Sequence, residues 1–135
     1  LDDDGTAHEY LDVEDLLALA RQLLGDPVPV RDLGLLGSAA ARPSSSAFGE
    51  DAYRDIWHKS AALLQSLVNN HALVDGNKRL GWLATAVFLE LDGVAATTAT
   101  DDGVYDLVMD VAAEHRTVEE IAAGIRRIVG DQEPA

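Results

Sequence analysis

The sequence predicts an all-α fold, a bundle of about six helices around a central buried helix, with one short flap. Three observations carry this expectation. Apolar residues recur at helical spacing in several separate stretches. The segment LGWLATAVFLEL, residues 80–91, is hydrophobic nearly all round, as a buried helix is. One short piece alone, VAATTAT, has the β-branched composition of extended chain. At 135 residues and 47% apolar content, a single domain over 1–135 is expected, with a core that needs no metal or disulfide. Residues 1–10 and 131–135 are expected to be flexible.

The first helix follows from Val13, Leu16, Leu17, Ala20, Leu23 and Leu24, with Asp12 as N-cap and Gly25 just past its end. RDLGLLGSAAAR reads as a short helix that stops before Pro43, because a residue preceding proline is pushed out of the α region. RPSSSAFGE, residues 42–50, is small and polar and reads as an exposed loop or flap. From Asp51 to Val68 an apolar stripe resumes at Tyr53, Ile56, Trp57, Leu64, Leu67 and Val68. Arg54, Asp55, His58, Lys59 and Gln65 fall on its other faces, and the helix ends at Asn69 and Asn70. The all-apolar segment follows and is taken as the central helix, closed by Gly93 and then by VAATTAT as an extended piece. A helix from about Asp102 to His115 turns Val104, Leu107, Val108, Val111 and Ala112 inward. The last helix starts at Thr117, whose Glu120 completes a capping box, and buries Val118, Ile121, Ala122, Ile125, Ile128 and Val129.

Composition narrows the function classes. There are 24 acidic and 10 basic residues, for a formal charge of -14. A chain this acidic is unsuited to gripping a phosphodiester backbone, so no direct nucleic-acid binding is expected. Cysteine is absent, which removes a disulfide framework, a thiolate zinc site and a cysteine nucleophile. The N-terminal LDDDGTAHEYLD lacks the pattern of a secretory signal, and no long uncharged span exists, so a cytoplasmic protein without membrane insertion is expected. Neither a Walker A sequence nor G-x-G-x-x-G is present.

Against this background HALVDGNKR, residues 71–79, stands apart: a histidine, a carboxylate, a glycine and two cations occupy nine positions. It lies where the apolar helix begins, and helix N-termini carry unsatisfied N–H groups and the positive end of the dipole. Gly76 and Asn77 can fold the backbone into an anion nest, to which Lys78 and Arg79 add charge. Asp75 can hold a Mg²⁺ that bridges phosphate oxygens. His71 is suited to taking a proton from a hydroxyl, since imidazole exchanges protons near neutrality. Each residue alone has a plain structural reading: His71 ending a helix, Asp75 complementing the dipole, Gly76 turning the chain, Lys78 and Arg79 as a solvated first turn. Together they favour an anion site with phosphoryl-transfer chemistry. His8, His58 and His115 carry structural readings, and Trp57 and Trp82 are assigned to the core.

HALVDGNKR resembles the motif of the Fic/Doc family and, closely, its Doc (death-on-curing) branch of toxins from toxin–antitoxin modules. His71, Asp75, Gly76, Asn77, Lys78 and Arg79 match that motif, whereas Ala72 and Leu73 replace its proline and phenylalanine in packing positions. YLDVEDLLALA, RDLGLLGSAAARP, the helix before the histidine and LGWLATAVFLELDG also look like that branch. Doc-type proteins often carry an arginine where this chain has Asn69. The resemblance implies an all-α fold and a Mg²⁺-dependent transfer of the ATP γ-phosphate to a threonine of elongation factor Tu, blocking translation. It implies His71 as base, Asp75 as the Mg²⁺ carboxylate, Gly76 and Asn77 in the anion-binding turn, and Lys78 and Arg79 on nucleotide phosphates, with Asn77 and Arg79 counted in the catalytic set. RPSSSAFGE takes the place of the family's flap. Self-inhibiting members resemble one another in a Ser/Thr-x-x-x-Glu-Gly/Asn helix. SAFGED, residues 46–51, comes nearest and ends in Asp51, so inhibition is expected in trans, from the C-terminal segment of a Phd-like antitoxin. Two other readings share the motif: a Fic-type adenylyltransferase, and a catalytically silent helical binding module.

Overall fold

The computed structural model describes residues 8–130, and the ends expected to be flexible lie outside these except for residues 8–10, which are placed. Six helices and one hairpin form in the order α1 (Val13–Leu24), α2 (Leu33–Ala41), a 3-10 turn at Arg42–Ser44, β1 (Ser46–Ala47), β2 (Glu50–Asp51), α3 (Ile56–Asn69), α4 (Asn77–Leu91), a second 3-10 turn at Ala96–Thr98, α5 (Asp101–Ala112) and α6 (Val118–Val129). The all-α expectation holds. No described helix is long and apolar enough to cross a membrane.

Local chemistry sets most of the helix boundaries. Asp12 caps α1 and exchanges hydrogen bonds with Asp15, while Gly25 closes the helix at φ 85°. Asp32 caps α2, Asp55 caps α3 and Thr100 caps α5. Thr117 and Glu120 form the expected capping box on α6. The second long helix starts at Ile56, five residues later than Asp51, because the flap is a hairpin pairing Ser46 with Asp51 and Ala47 with Glu50. Its two loop residues, Phe48 and Gly49, both have positive φ (54° and 80°), the geometry that suits a two-residue hairpin loop. VAATTAT is not extended: Glu90 accepts a hydrogen bond from the Ala96 N–H at 2.7 Å and helps to fix the 3-10 turn there.

The most enclosed helix is α3. Eleven of its fourteen residues are buried, against six of fifteen in α4. The all-apolar sequence of α4 has a different cause. Its far side, including Trp82, Ala86 and Val87, lines an open groove of about 1110 Å³ against α5, with Tyr105 and Met109 on the opposite wall. Trp57 is core at 4% exposure, while Trp82 is half-buried at this groove. Close contact of α3 and α4 is made at Gly81, where an added Cβ would lie 2.8 Å from a methyl of Val68.

Enclosure makes α3 carry polar atoms that must be paired. Lys59, expected on an outer face, is wholly buried. Its ammonium donates to Pro43 O (3.4 Å) and Asp51 Oδ2 (3.3 Å) and lies 5.8 Å from the Tyr10 ring centre, and that ring stacks on Phe88. Arg42 serves the other foot of the flap, donating to Tyr53 Oη, Gln65 Oε1, Ser66 Oγ and Ala62 O. His58, placed on a polar face by its position, is fixed between Asp55 (Nδ1 to Oδ1, 2.6 Å) and Glu119 (Nε2 to Oε2, 2.9 Å), joining the starts of α3 and α6. His8 likewise packs beside Asp92 at 3.4 Å with its side chain 1% exposed.

Two expectations follow. Lys59→Ala should lose roughly 3 kcal/mol in urea denaturation, since it leaves a cavity and strips Asp51 of its buried partner, whereas Lys59→Met keeps the stem and should lose less. The second concerns acid. Burial pushes the Asp55 carboxyl up, but hydrogen bonds and charge from His58, together with Arg54, outweigh this and hold it below the ordinary value of 3.8. A carboxylate depressed in the folded state contributes stability that is present above 3.8 and is lost as pH falls through the lower folded value. Asp55→Asn should therefore be less stable than the parent by about 1 kcal/mol at neutral pH, and the two stability curves should converge below 3.8.

Candidate active site

The motif begins where α3 runs out. Asn70 ends the helix, its N–H bonded to Ser66 O at 2.9 Å, and His71 then takes left-handed backbone geometry at φ 54°. Helices commonly finish with such a residue, and it is ordinarily glycine because a Cβ is disfavoured there. His71 is one of three described non-glycine residues with positive φ, beside Phe48 and Glu114, and its side chain is exposed.

The next three residues are held as a short extended run against the segment before α2. Arg31 N–H and Asp32 N–H both donate to Ala72 O (2.8 and 2.9 Å), Val74 N–H donates to Pro29 O (2.7 Å), and Val30 bridges Leu73. Ala72 and Leu73 are 2% and 1% exposed, which makes them packing positions as expected. From the far side of the turn, the Asn77 carboxamide closes on Leu73, accepting from its N–H and donating to its carbonyl, both at 3.0 Å. The side chain of Asn77 thus shapes the turn, and its backbone N–H opens α4.

Asp75 is exposed, and one of its oxygens accepts the Gly76 N–H at 2.9 Å. Gly76 stands at φ 88°, a conformation that favours glycine, and an added Cβ would lie 2.7 Å from a methyl of Leu24, which would have to move aside. Of the six described helices, α4 alone lacks a side-chain cap. No side chain caps the first-turn N–H groups of Asn77, Lys78 and Arg79, at the positive end of the helix dipole. Lys78 and Arg79 are exposed, form no ion pair among the described residues, and stand on the wall of the apolar groove.

The structure therefore brings His71, Asp75, Gly76, Asn77, Lys78 and Arg79 into one turn between two packed helices. A single carboxylate fits a Mg²⁺ that takes its remaining ligands from phosphate and water. It does not fit a self-sufficient metal site, and among the described residues no group of three His, Asp or Glu side chains gathers to make one. Sequence reasoning missed Arg31. Its Nε donates to His71 O at 2.7 Å and its Nη2 to Asn70 O at 3.3 Å, a contact across forty residues that periodicity cannot reveal. The Arg-Asp pair ahead of α2 was the one available signal.

Two comparisons bear on this geometry. Residues 10–89, which include α1 through most of α4 and the whole motif, match the Fic/DOC family. A curated protein named Toxin Doc, from Mycolicibacterium smegmatis, is 48% identical over 116 residues, covering 85% of this chain and 89% of that protein. With a histidine-bearing turn, an uncapped α4 and similarity of this extent, the chain belongs to the Fic/Doc family.

Proposed function

We propose that the protein is a Doc-like toxin of a toxin–antitoxin module that transfers the γ-phosphate of ATP to a protein hydroxyl and so arrests growth. Its acceptor is a threonine of a translation factor such as elongation factor Tu, and it acts in the cytoplasm. Similarity to Toxin Doc supports the toxin class. The observation that carries the chemistry is an exposed His71 five residues ahead of Gly76, where α4, alone among the described α-helices, starts without a side-chain cap.

In this reading the first-turn N–H groups of α4 and the side chains of Lys78 and Arg79 hold the phosphates. His71 takes the proton of the acceptor hydroxyl as its oxygen bonds to the γ-phosphorus, and the bond to the β,γ-bridging oxygen breaks to release ADP. Asp75 would hold Mg²⁺, and the ion, when bound, would supply charge neutralisation at the phosphates. Lys78 favours γ over α attack. A glycine at that position leaves room for an α-phosphate against the backbone, while lysine fills it with a flexible point charge. Inhibition comes in trans from the C-terminal segment of a Phd-like antitoxin. The apolar groove beside Lys78 and Arg79 has the character that an amphipathic segment needs, and covering it would crowd both cations.

Incubation with labelled ATP, Mg²⁺ and a bacterial lysate tests the reading. Label from γ-³²P ATP should reach a protein and label from α-³²P ATP should not. His71→Ala should abolish transfer while leaving ATP affinity within about twofold of the parent, because a base acts on the nucleophile and not on the bound phosphates. Transfer of the α-label would establish an adenylyltransferase instead, and no transfer of either label would leave the silent binding module. Calorimetry checks the metal. Mg²⁺ should bind weakly to the protein alone and more tightly with ATP, and equal affinity in the two titrations would remove Asp75 from its role.

A further inference from the structure

We infer that Arg31 is the positioning residue for His71, fixing the backbone from which the imidazole projects. This rests on His71 acting as the base. Beyond the end of α3 the carbonyls of Asn70, His71 and Ala72 continue in sequence, and residue 31 supplies a donor to each: Nη2 to Asn70 O, Nε to His71 O and its backbone N–H to Ala72 O. Asp32 N–H adds a second bond to Ala72 O. The shortest side-chain bond, 2.7 Å, goes to the carbonyl of the residue whose φ is positive.

A non-glycine residue in left-handed geometry persists only where its surroundings over-determine it. Downstream, that determination comes from buried Ala72 and Leu73 and from the Asn77 clasp. At His71 itself, Arg31 makes the side-chain contact, and it binds the main chain, so the imidazole stays unencumbered. The guanidinium suits the task because its donors form a rigid fork that can span two successive carbonyls, whereas an ammonium offers a single point. Rotation of His71 to ordinary negative φ would swing its Cβ away from the present direction, and a displacement of about 1 Å at a reacting group can cost a hundredfold in rate.

The test compares the full chain with Arg31→Ala and Arg31→Lys. The first readout is free of any reaction: the three-bond coupling between amide and α protons of His71, with its Cα and Cβ shifts, measured by NMR without nucleotide. Arg31→Ala should move these toward values of negative φ while the shifts of Leu64 and Phe88 in the core stay in place, and Arg31→Lys should fall between. The second readout is phosphoryl transfer. Arg31→Ala should lower kcat by about tenfold or more with KM for ATP within about twofold, with the pH profile keeping its shape because the base is unchanged, and Arg31→Lys should recover part of the loss. Unchanged His71 signals in Arg31→Ala overturn the inference, as does altered His71 geometry with kcat intact. A raised KM with kcat preserved also overturns it, showing a substrate contact instead. If the parent transfers no phosphoryl group at all, the function proposed above fails, and the NMR comparison still decides whether Arg31 sets the His71 backbone.

Discussion

The enclosure of α3 is the constraint from which most of this structure follows. A helix packed on nearly every side leaves its polar atoms no water, so each must find a partner within the protein. Lys59 finds Asp51 and Pro43, and Ser66 receives Arg42. Those partners come from the segment between α2 and α3, and the result is a hairpin with both feet bound to the core and its tip in solvent, where Phe48 is fully exposed. Polar chemistry inside the bundle thus anchors a surface element that would otherwise rest on four strand residues alone.

Where α3 ends, the same rigidity becomes useful. The turn from Asn70 to Gly76 is pinned on one side by residues 29–32 and on the other by Asn77, and Leu24 presses on Gly76 from α1. Three separate parts of the chain therefore define where His71 stands relative to α4. Lys78 and Arg79 form no ion pair among the described residues, whereas in the packed interior Lys59 is paired with Asp51 and Arg42 is hydrogen-bonded to Gln65. That contrast, a main chain held by hydrogen bonds at residues 70–74 beside exposed His71, Lys78 and Arg79 side chains, is what distinguishes this turn from a connecting loop.

Much of this was legible in the sequence for local reasons. Asp12, Thr117 and Glu120 announce helix starts because capping is a short-range hydrogen bond between residues three apart. The motif was legible because its residues are contiguous and chemically unlike their surroundings. The errors share a different origin. Lys59 was placed outside because lysine is scored by its charge, while burial depends on a partner eight residues away and on the Tyr10 ring. The apolar run of α4 suggested the central helix, yet hydrophobicity does not distinguish a face that meets another helix from one that lines a groove. Arg31 was invisible because side-chain contacts to main-chain carbonyls leave no periodic trace.

The left-handed backbone of His71 sets the conformation of the turn against the residue type that occupies it. Glycine there would keep every main-chain hydrogen bond of the turn and relieve a Cβ penalty on the order of 1 kcal/mol. The most comfortable residue for the scaffold is thus one that has no imidazole. Under the proposed role of His71 as the base, this position is one where the residue that would best suit the fold could not do the chemistry.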